Sequence, residues 1–241
     1  SMSFPAGEQF FIDAVRAGVE ALPAQRQAEW RDEIRGFIGQ EATHRRVHTL
    51  FNSHLVRQGL VDGWTPRIVE RQKLFEGIDP RHAVAVTAAN EHFTAMMGEW
   101  LLAHPEVLAG ADPRLQTLWL WHSAEETEHK NAAFDLYRAL NGDHAWRVKW
   151  FTRITTSFLL DVSRQTLANL RRDRTLWRWG TWRSAARLLF GREGLIRSNV
   201  AVWRDYLRVD FHPANHETGR SAQWLAANAA QFTLLPARSS Y

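Results

Sequence analysis

Apolar residues recur at three- and four-residue intervals along most of the chain, and strand-like alternation of useful length is missing, so the pattern predicts helices throughout. A first helix opens at Phe4-Pro5-Ala6, where the missing proline N–H costs nothing, carries Phe10, Phe11, Ala14, Val15 and Val19, and stops near Leu22-Pro23. A second runs from about Ala24 to Leu60. Its inward stripe is Trp30, Ile34, Phe37, Ile38, Glu41, His44, Val47, His48, Phe51 and Leu55, and Gly59, Gly63 and Pro66 break it. After a short helix over Pro66–Phe75, a third covers Arg81–Ala103. Asp112 is a candidate N-cap and Pro113 a first helical residue for a fourth, which is expected to continue to about Leu140 and end at the Asn141-Gly142 pair. Three more helices are expected at about 144–171, 173–190 and 193–209, and the tail after Phe211-His212-Pro213 has no clear periodicity.

The expected architecture is all-α: a ferritin-like four-helix bundle with a C-terminal helical extension. The bundle takes residues 3–143 and the extension, packed on it, residues 144–241. A chain of 241 residues, 45% hydrophobic, is long enough to bury a full core. It has no cysteine, which excludes a disulfide scaffold, an iron–sulfur protein and a thiol nucleophile. Early apolar stretches are interrupted by Glu8, Asp13 and Arg16, and no run reaches the roughly 18 apolar residues of a spanning helix, so a cytoplasmic location is expected.

Charge changes this picture. Residues 1–143 hold 14 Lys+Arg against 20 Asp+Glu, whereas residues 144–241 hold 16 against 6. The basic half also carries many of the 12 tryptophans. Trp146, Trp150, Trp177, Trp179, Trp182 and Trp203 read as core at helical spacing. Alternatively, Arg171-Arg172-Asp173-Arg174 with Trp177 and Trp179 forms a peripheral membrane patch or a lid over a greasy substrate. No recognised nucleic-acid module accompanies these residues, so nucleic acid is not an expected partner; a small, apolar molecule is, and homo-oligomerisation stays open.

Two helices carry Glu-x-x-His, Glu41-Ala-Thr-His44 and Glu126-Thr-Glu-His129. Residues three apart share a helix face, so each pair can present an oxygen and a nitrogen to one ion. The third helix places Glu91 among apolar residues and the first carries Glu8 beside Phe10 and Phe11. The order Glu, Glu-x-x-His, Glu, Glu-x-x-His is the ligand plan of dimetal carboxylate bundles. About a connector midpoint near 108.5, Glu91 and Glu126 are equidistant and hence level in an antiparallel hairpin. Glu8 and Glu41 are less even about a midpoint near 22, with a mismatch of roughly 7 to 8 Å that an irregular connector has to absorb. His48 and His122 fall on the same stripes, one turn from His44 and Glu126, and are candidates for extra ligation or proton transfer. Glu125 and Glu128 read as salt-bridging or supporting residues, and His92 as pointing elsewhere.

Phe4-Pro-Ala-Gly-Glu8-Gln-Phe-Phe11, Gln40-Glu41-Ala-Thr-His44, Trp121-His122-Ser-Ala-Glu125-Glu126-Thr-Glu-His129-Lys130 through Phe134-Asp135, and Phe211-His212-Pro213 together resemble the bacterial family of predicted metal-dependent hydrolases, usually classed as ferritin-like. The resemblance spans nearly the whole chain and implies a dimetal site on Glu8, Glu41, His44, Glu91, Glu126 and His129. Carboxylates and imidazoles without thiolate favour iron, then manganese, over zinc. On that ligand set alone the expected chemistry is a dioxygen-activating dinuclear oxidase or oxygenase acting on an apolar or amphipathic small molecule. Metal-dependent hydrolysis is the alternative, and non-enzymatic iron handling a second one.

Overall fold

Local signals in the chain place four long helices around one core. In the structure, a computed structural model describing residues 1–128, 130–216 and 218–232, no strand occurs among the described residues. Helix α1 (Phe4–Glu20) has Pro5 in its first turn and buries Phe11, Ile12, Ala14, Val15 and Gly18. A short α2 (Ala24–Gln27) and a 3-10 turn (Ala28–Trp30) lead into α3 (Arg31–Arg57). This irregular connector re-centres the first hairpin near residue 25.5, so Glu8 and Glu41 stand 17.5 and 15.5 residues from the midpoint. The expected offset shrinks to two residues, about 3 Å.

Helix α4 (Thr65–Gln72) crosses the outside of the bundle, and α5 (Arg81–Ala103) runs through its middle. α5 is apolar nearly all round because α1, α6, α7, α8, α10 and α11 all pack against it. Helix α6 (Pro113–Glu128) starts where expected: the carboxylate of Asp112 accepts the Arg114 N–H at 2.9 Å. The fourth helix is not continuous. It ends as α6 at Glu128 and resumes as α7 (Ala132–Ala139), with Lys130 and Asn131 in a turn between them. Apolar residues continue at helical spacing from Trp121 and Ala124 before this break to Ala132 and Leu136 after it, so periodicity alone does not reveal it. Asn141 then takes a left-handed conformation (φ 57°) and the Gly142 N–H donates to Tyr137 O, closing α7 as the Asn-Gly pair implies.

In α8 (His144–Arg172), Asp143 caps the helix by accepting the Trp146 N–H. Its inner face lies on α5, where Phe151 and Phe158 stack on Phe93 at 5.3 and 5.6 Å between ring centres. Asp161, nearly fully buried, accepts Arg67 Nε at 2.6 Å and also pairs with Arg71, tying α4 to α8. Burial raises its carboxyl, but these two guanidinium contacts outweigh it and hold the group below its ordinary value. Tyr206, after α10 (Leu195–Asp205), stacks on Phe151 at 4.1 Å, and Phe211 packs on Phe134. One hydrophobic core therefore runs on across residue 143.

Two parts of the C-terminal region differ from the sequence expectation. Helix α9 (Trp179–Phe190) starts six residues later than expected and contains no buried residue; Trp177 and Trp179 are 91% and 79% exposed, so these rings are not core. The tail contains a further helix, α11 (Arg220–Asn228), which packs against α6 and α5. Its only buried residue, Ser221, is small and polar, which is why no apolar stripe announces it. No described helix is long and apolar enough to cross a membrane.

Candidate metal centre

The buried residues of α3 are Ile34, Phe37, Glu41, His44 and His48, spaced alternately three and four apart. A single core-facing stripe thus begins apolar and turns ionisable at mid-helix without leaving the interior. Glu8 from α1, Glu91 from α5 and His122, Glu125 and Glu126 from α6 are buried against it. Ligand-type atoms of Glu41, His44 and Glu126 lie within 4.8 Å of one another, and so do those of Glu8, His44 and His122.

His44 is at the centre. Its Nε2 lies 2.9 Å from Glu125 Oε2, while Nδ1 faces Glu126 Oε1 at 3.2 Å and Glu41 Oε1 at 3.9 Å. The Trp121 indole N–H donates to the other Glu125 oxygen at 3.0 Å and fixes that carboxylate. His122 Nε2 is 3.4 Å from Glu126 Oε1, and His48 Nε2 is 3.4 Å from His122 Nδ1. Phe4 stacks on His122 at 5.3 Å and meets His48 edge-on, closing this side.

Burial dominates the electrostatics. It pushes the Glu8 carboxyl up to about 8; His44 opposes the rise and Glu126 and Glu91 add to it. Glu41 is held well above the usual carboxylate range, first by burial and then by Glu91, Glu126, Glu8 and Glu125. Burial acts to lower His44, but its bonds to Glu125 and Glu126 prevail and raise it to about 10. His48, without a carboxylate against its ring, drops to about 3 through burial, helped by the N-terminal amine and His44.

These residues fit a cation. Both carboxylate oxygens of Glu8 are buried with no hydrogen-bond partner among the described residues. Such a group is costly inside a protein unless it is protonated or bound to metal. All nearby donors are carboxylate oxygen or imidazole nitrogen, the set that suits first-row divalent ions. His44 is also presented as a metal-binding histidine usually is, with one ring nitrogen on a carboxylate and the other turned inward.

The structure brings together four of the six sequence-predicted ligands, Glu8, Glu41, His44 and Glu126; Glu91 is buried and acts electrostatically on Glu8 and Glu41. His129 lies outside the described residues. His48 and His122 both join the cluster. His92 faces away, with Nε2 directed at Val202 O and its ring among Tyr206, Phe151 and Phe211. The Glu125 bond to His44 was not readable as such. Its only signal is Trp121 one turn earlier, able to hold a carboxylate in place. Glu128 is exposed.

A cavity of about 350 Å³ opens from the cluster. Glu8 and Glu126 lie at its inner end, Phe11, Phe75, Phe93, Trp150 and Phe158 form its walls, and Arg71 and Arg153 stand toward solvent. The outer wall is supplied by α4 and α8.

A helical bundle with a buried carboxylate–imidazole centre at the end of an apolar cavity has the build of a metal-dependent protein. The profile of the family described as predicted metal-dependent hydrolase matches residues 1–217, and the chain belongs to that family. No curated protein and no solved structure matches the chain.

Proposed function

We propose that the protein is a metal-dependent hydrolase that holds two divalent ions through Glu8, Glu41, His44, Glu91, Glu126 and His129 and cleaves a small substrate bound in the adjoining cavity. The observation that carries this reading is the buried cluster of acids and imidazoles at the inner end of an otherwise apolar cavity. The family description favours hydrolysis over the dioxygen chemistry that the ligand types alone suggest. When bound, divalent metal supplies Lewis acidity and lowers the pKa of water. The chain's own residues do the remainder. Glu125 holds His44 in one tautomer and orientation, and Trp121 holds Glu125. His122 stands against Glu126 and is backed by His48, whose Nε2 lies 3.4 Å from His122 Nδ1, so two imidazoles in a row keep His122 oriented against the acid. The aromatic walls exclude bulk water from the reacting bond. Water adds across an ester or amide, giving the acid and the alcohol or amine.

Metal analysis and turnover of the loaded protein test the proposal together. Protein loaded with manganese, zinc or ferrous iron is expected to hold two ions per chain and to release acid from short aryl esters. Combined Glu41→Ala and Glu126→Ala should abolish both. Substoichiometric metal in the intact chain overturns the site. Dioxygen uptake by the ferrous protein without hydrolysis by any metal form overturns the reaction.

A further inference from the structure

The far end of the cavity differs in kind from the end that holds the carboxylates. Arg71 and Arg153 line its outer part and continue, with Arg164, into a shallower depression of about 300 Å³ on the same side of α8. Arg67 lies behind them. Asp161, which also lines the cavity, binds Arg67 and Arg71 and reaches Arg164 only at 4.0 Å, so one carboxylate faces three guanidinium groups. The depression has no acidic residue in its lining, and Arg153 stands above the Trp150 ring at 5.3 Å, leaving its charge at the opening. Between the two polar ends the surface is aromatic and aliphatic, and the volume is that of a small-molecule site.

We propose that this cavity takes an amphipathic molecule with a compact anionic group, carboxylate or phosphate, at the Arg71–Arg153–Arg164 end and an apolar chain running inward past Phe158, Phe93 and Phe11. Placing the hydrolysable bond of such a molecule at the Glu8 and Glu126 end rests on the functional reading above; the recognition of chain and anion does not. Arginine suits the outer position because its planar fork donates two parallel N–H bonds to the oxygens of a carboxylate or phosphate. The apolar walls contribute affinity in proportion to the chain area they remove from water. An uncharged chain would leave the arginines hydrated but unused, and a short anion would leave the walls empty.

Gly7 offers a way to fill the cavity without disturbing the bundle. It lies in its lining, and a Cβ there would come no closer than 3.9 Å, to the edge of Phe11. Gly7→Leu should place its side chain in the space a ligand chain would use, and leucine is the better helix former. Arg153 and Arg164 are exposed, so Arg153→Ala combined with Arg164→Ala is expected to leave the melting temperature unchanged.

The test is calorimetric titration of the full chain with decanoate, decyl phosphate and decanol, together with thermal melts of each variant. At least one of the two anions should bind ten-fold or more tighter than decanol, and whichever binds tighter names the head group. The double arginine variant should weaken the anion about ten-fold and leave decanol unaffected. Gly7→Leu should abolish binding of all three. Equal affinity for decanol and both anions, an unchanged anion affinity in the arginine variant, full binding in a folded Gly7→Leu protein, or no binding at millimolar ligand would each overturn the proposal. Because binding is read without turnover, anion-selective binding with no hydrolysis of the corresponding esters leaves the ligand class standing and removes the hydrolase reading.

Discussion

His44 places Nε2 2.9 Å from Glu125 Oε2, which leaves the opposite ring nitrogen facing Glu41 and Glu126. A carboxylate that fixes a ligating imidazole in this way raises its basicity and its order, and its loss costs about 10–100-fold in metal affinity. Glu125→Ala should therefore weaken metal binding by that factor in a titration against a competing chelator. Glu125→Gln keeps an oxygen to receive the N–H and should be milder. An unchanged affinity in the alanine variant would show that the contact does not govern the centre.

The metal-free protein should lose stability as pH rises from about 6.5 to 8. Glu8, Glu41 and His44 all have folded-state values above their ordinary ones, so across this interval the folded chain keeps protons that the unfolded chain has released. The N-terminal amine, lowered to about 6 by burial, acts in the opposite sense, and so, near the lower edge of the interval, do His48, His82 and His92, all lowered by burial; the three raised groups outweigh them. His48 and His92 exert most of their effect below the interval, where their unfolded imidazoles are fully protonated. The net effect is on the order of 5 °C in melting temperature for a chain of this size. Divalent metal should reverse it, because binding to the folded state alone raises stability by mass action. Melting curves of chelator-treated and reloaded protein check both signs; a metal-free protein that grows more stable toward pH 8 would contradict them.

At Gly98, α5 comes close to the backbone of α6. A Cβ there would sit 2.8 Å from Ser123 O and 3.2 Å from its Cα, both backbone atoms that cannot rotate aside. Gly98→Ala should part the helices and cost about 1–3 kcal/mol, somewhat offset by the better helix propensity of alanine. Glu91 and Glu126 stand on the two separated helices, so metal affinity should fall with stability. Thermal melts and metal titration of the same variant decide it, and a more stable variant would refute the steric argument.

Deleting residues 144–241 is expected to leave a fragment that aggregates or binds apolar dyes and fails to hold metal. Phe93, Phe134 and the buried His92 would lose Phe151, Tyr206 and Phe211 from their surroundings. The open side of the cavity would lose Trp150, Ile154 and Phe158. A monomeric 1–143 fragment with intact metal affinity, measured by light scattering and titration, would show that the C-terminal helices are dispensable.

Helix positions and the acid–imidazole order were readable from the sequence because both depend on spacing along one helix. Arg81–Ala103 falls where the apolar pattern and its bounding residues put it, and the Glu41/His44 stripe needs only the three-residue repeat. What was not readable depends on partners distant in sequence. The break after Glu128 keeps the apolar period on both sides. Trp177 and Trp179 fit the helical spacing, but exposure is decided by whether another element covers a ring, and both stay largely uncovered. Asp161, one acid in the run Leu159-Leu160-Asp161-Val162, gives no hint in sequence that Arg67 and Arg71, some 90 residues earlier, meet it.

None of the residues assigned to hold metal lies on α4 or α8, yet those two helices form the outer wall of the cavity. On the function proposed above, the part of the cavity wall built by α4 and α8 is thus encoded apart from the residues of the centre. Substitutions at Ile68, Trp150, Ile154 or Phe158 can redraw the space offered to a ligand while α1, α3, α5 and α6 keep the ionisable cluster in register. A lineage built on this plan can change what it acts on without passing through a form that has lost its chemistry.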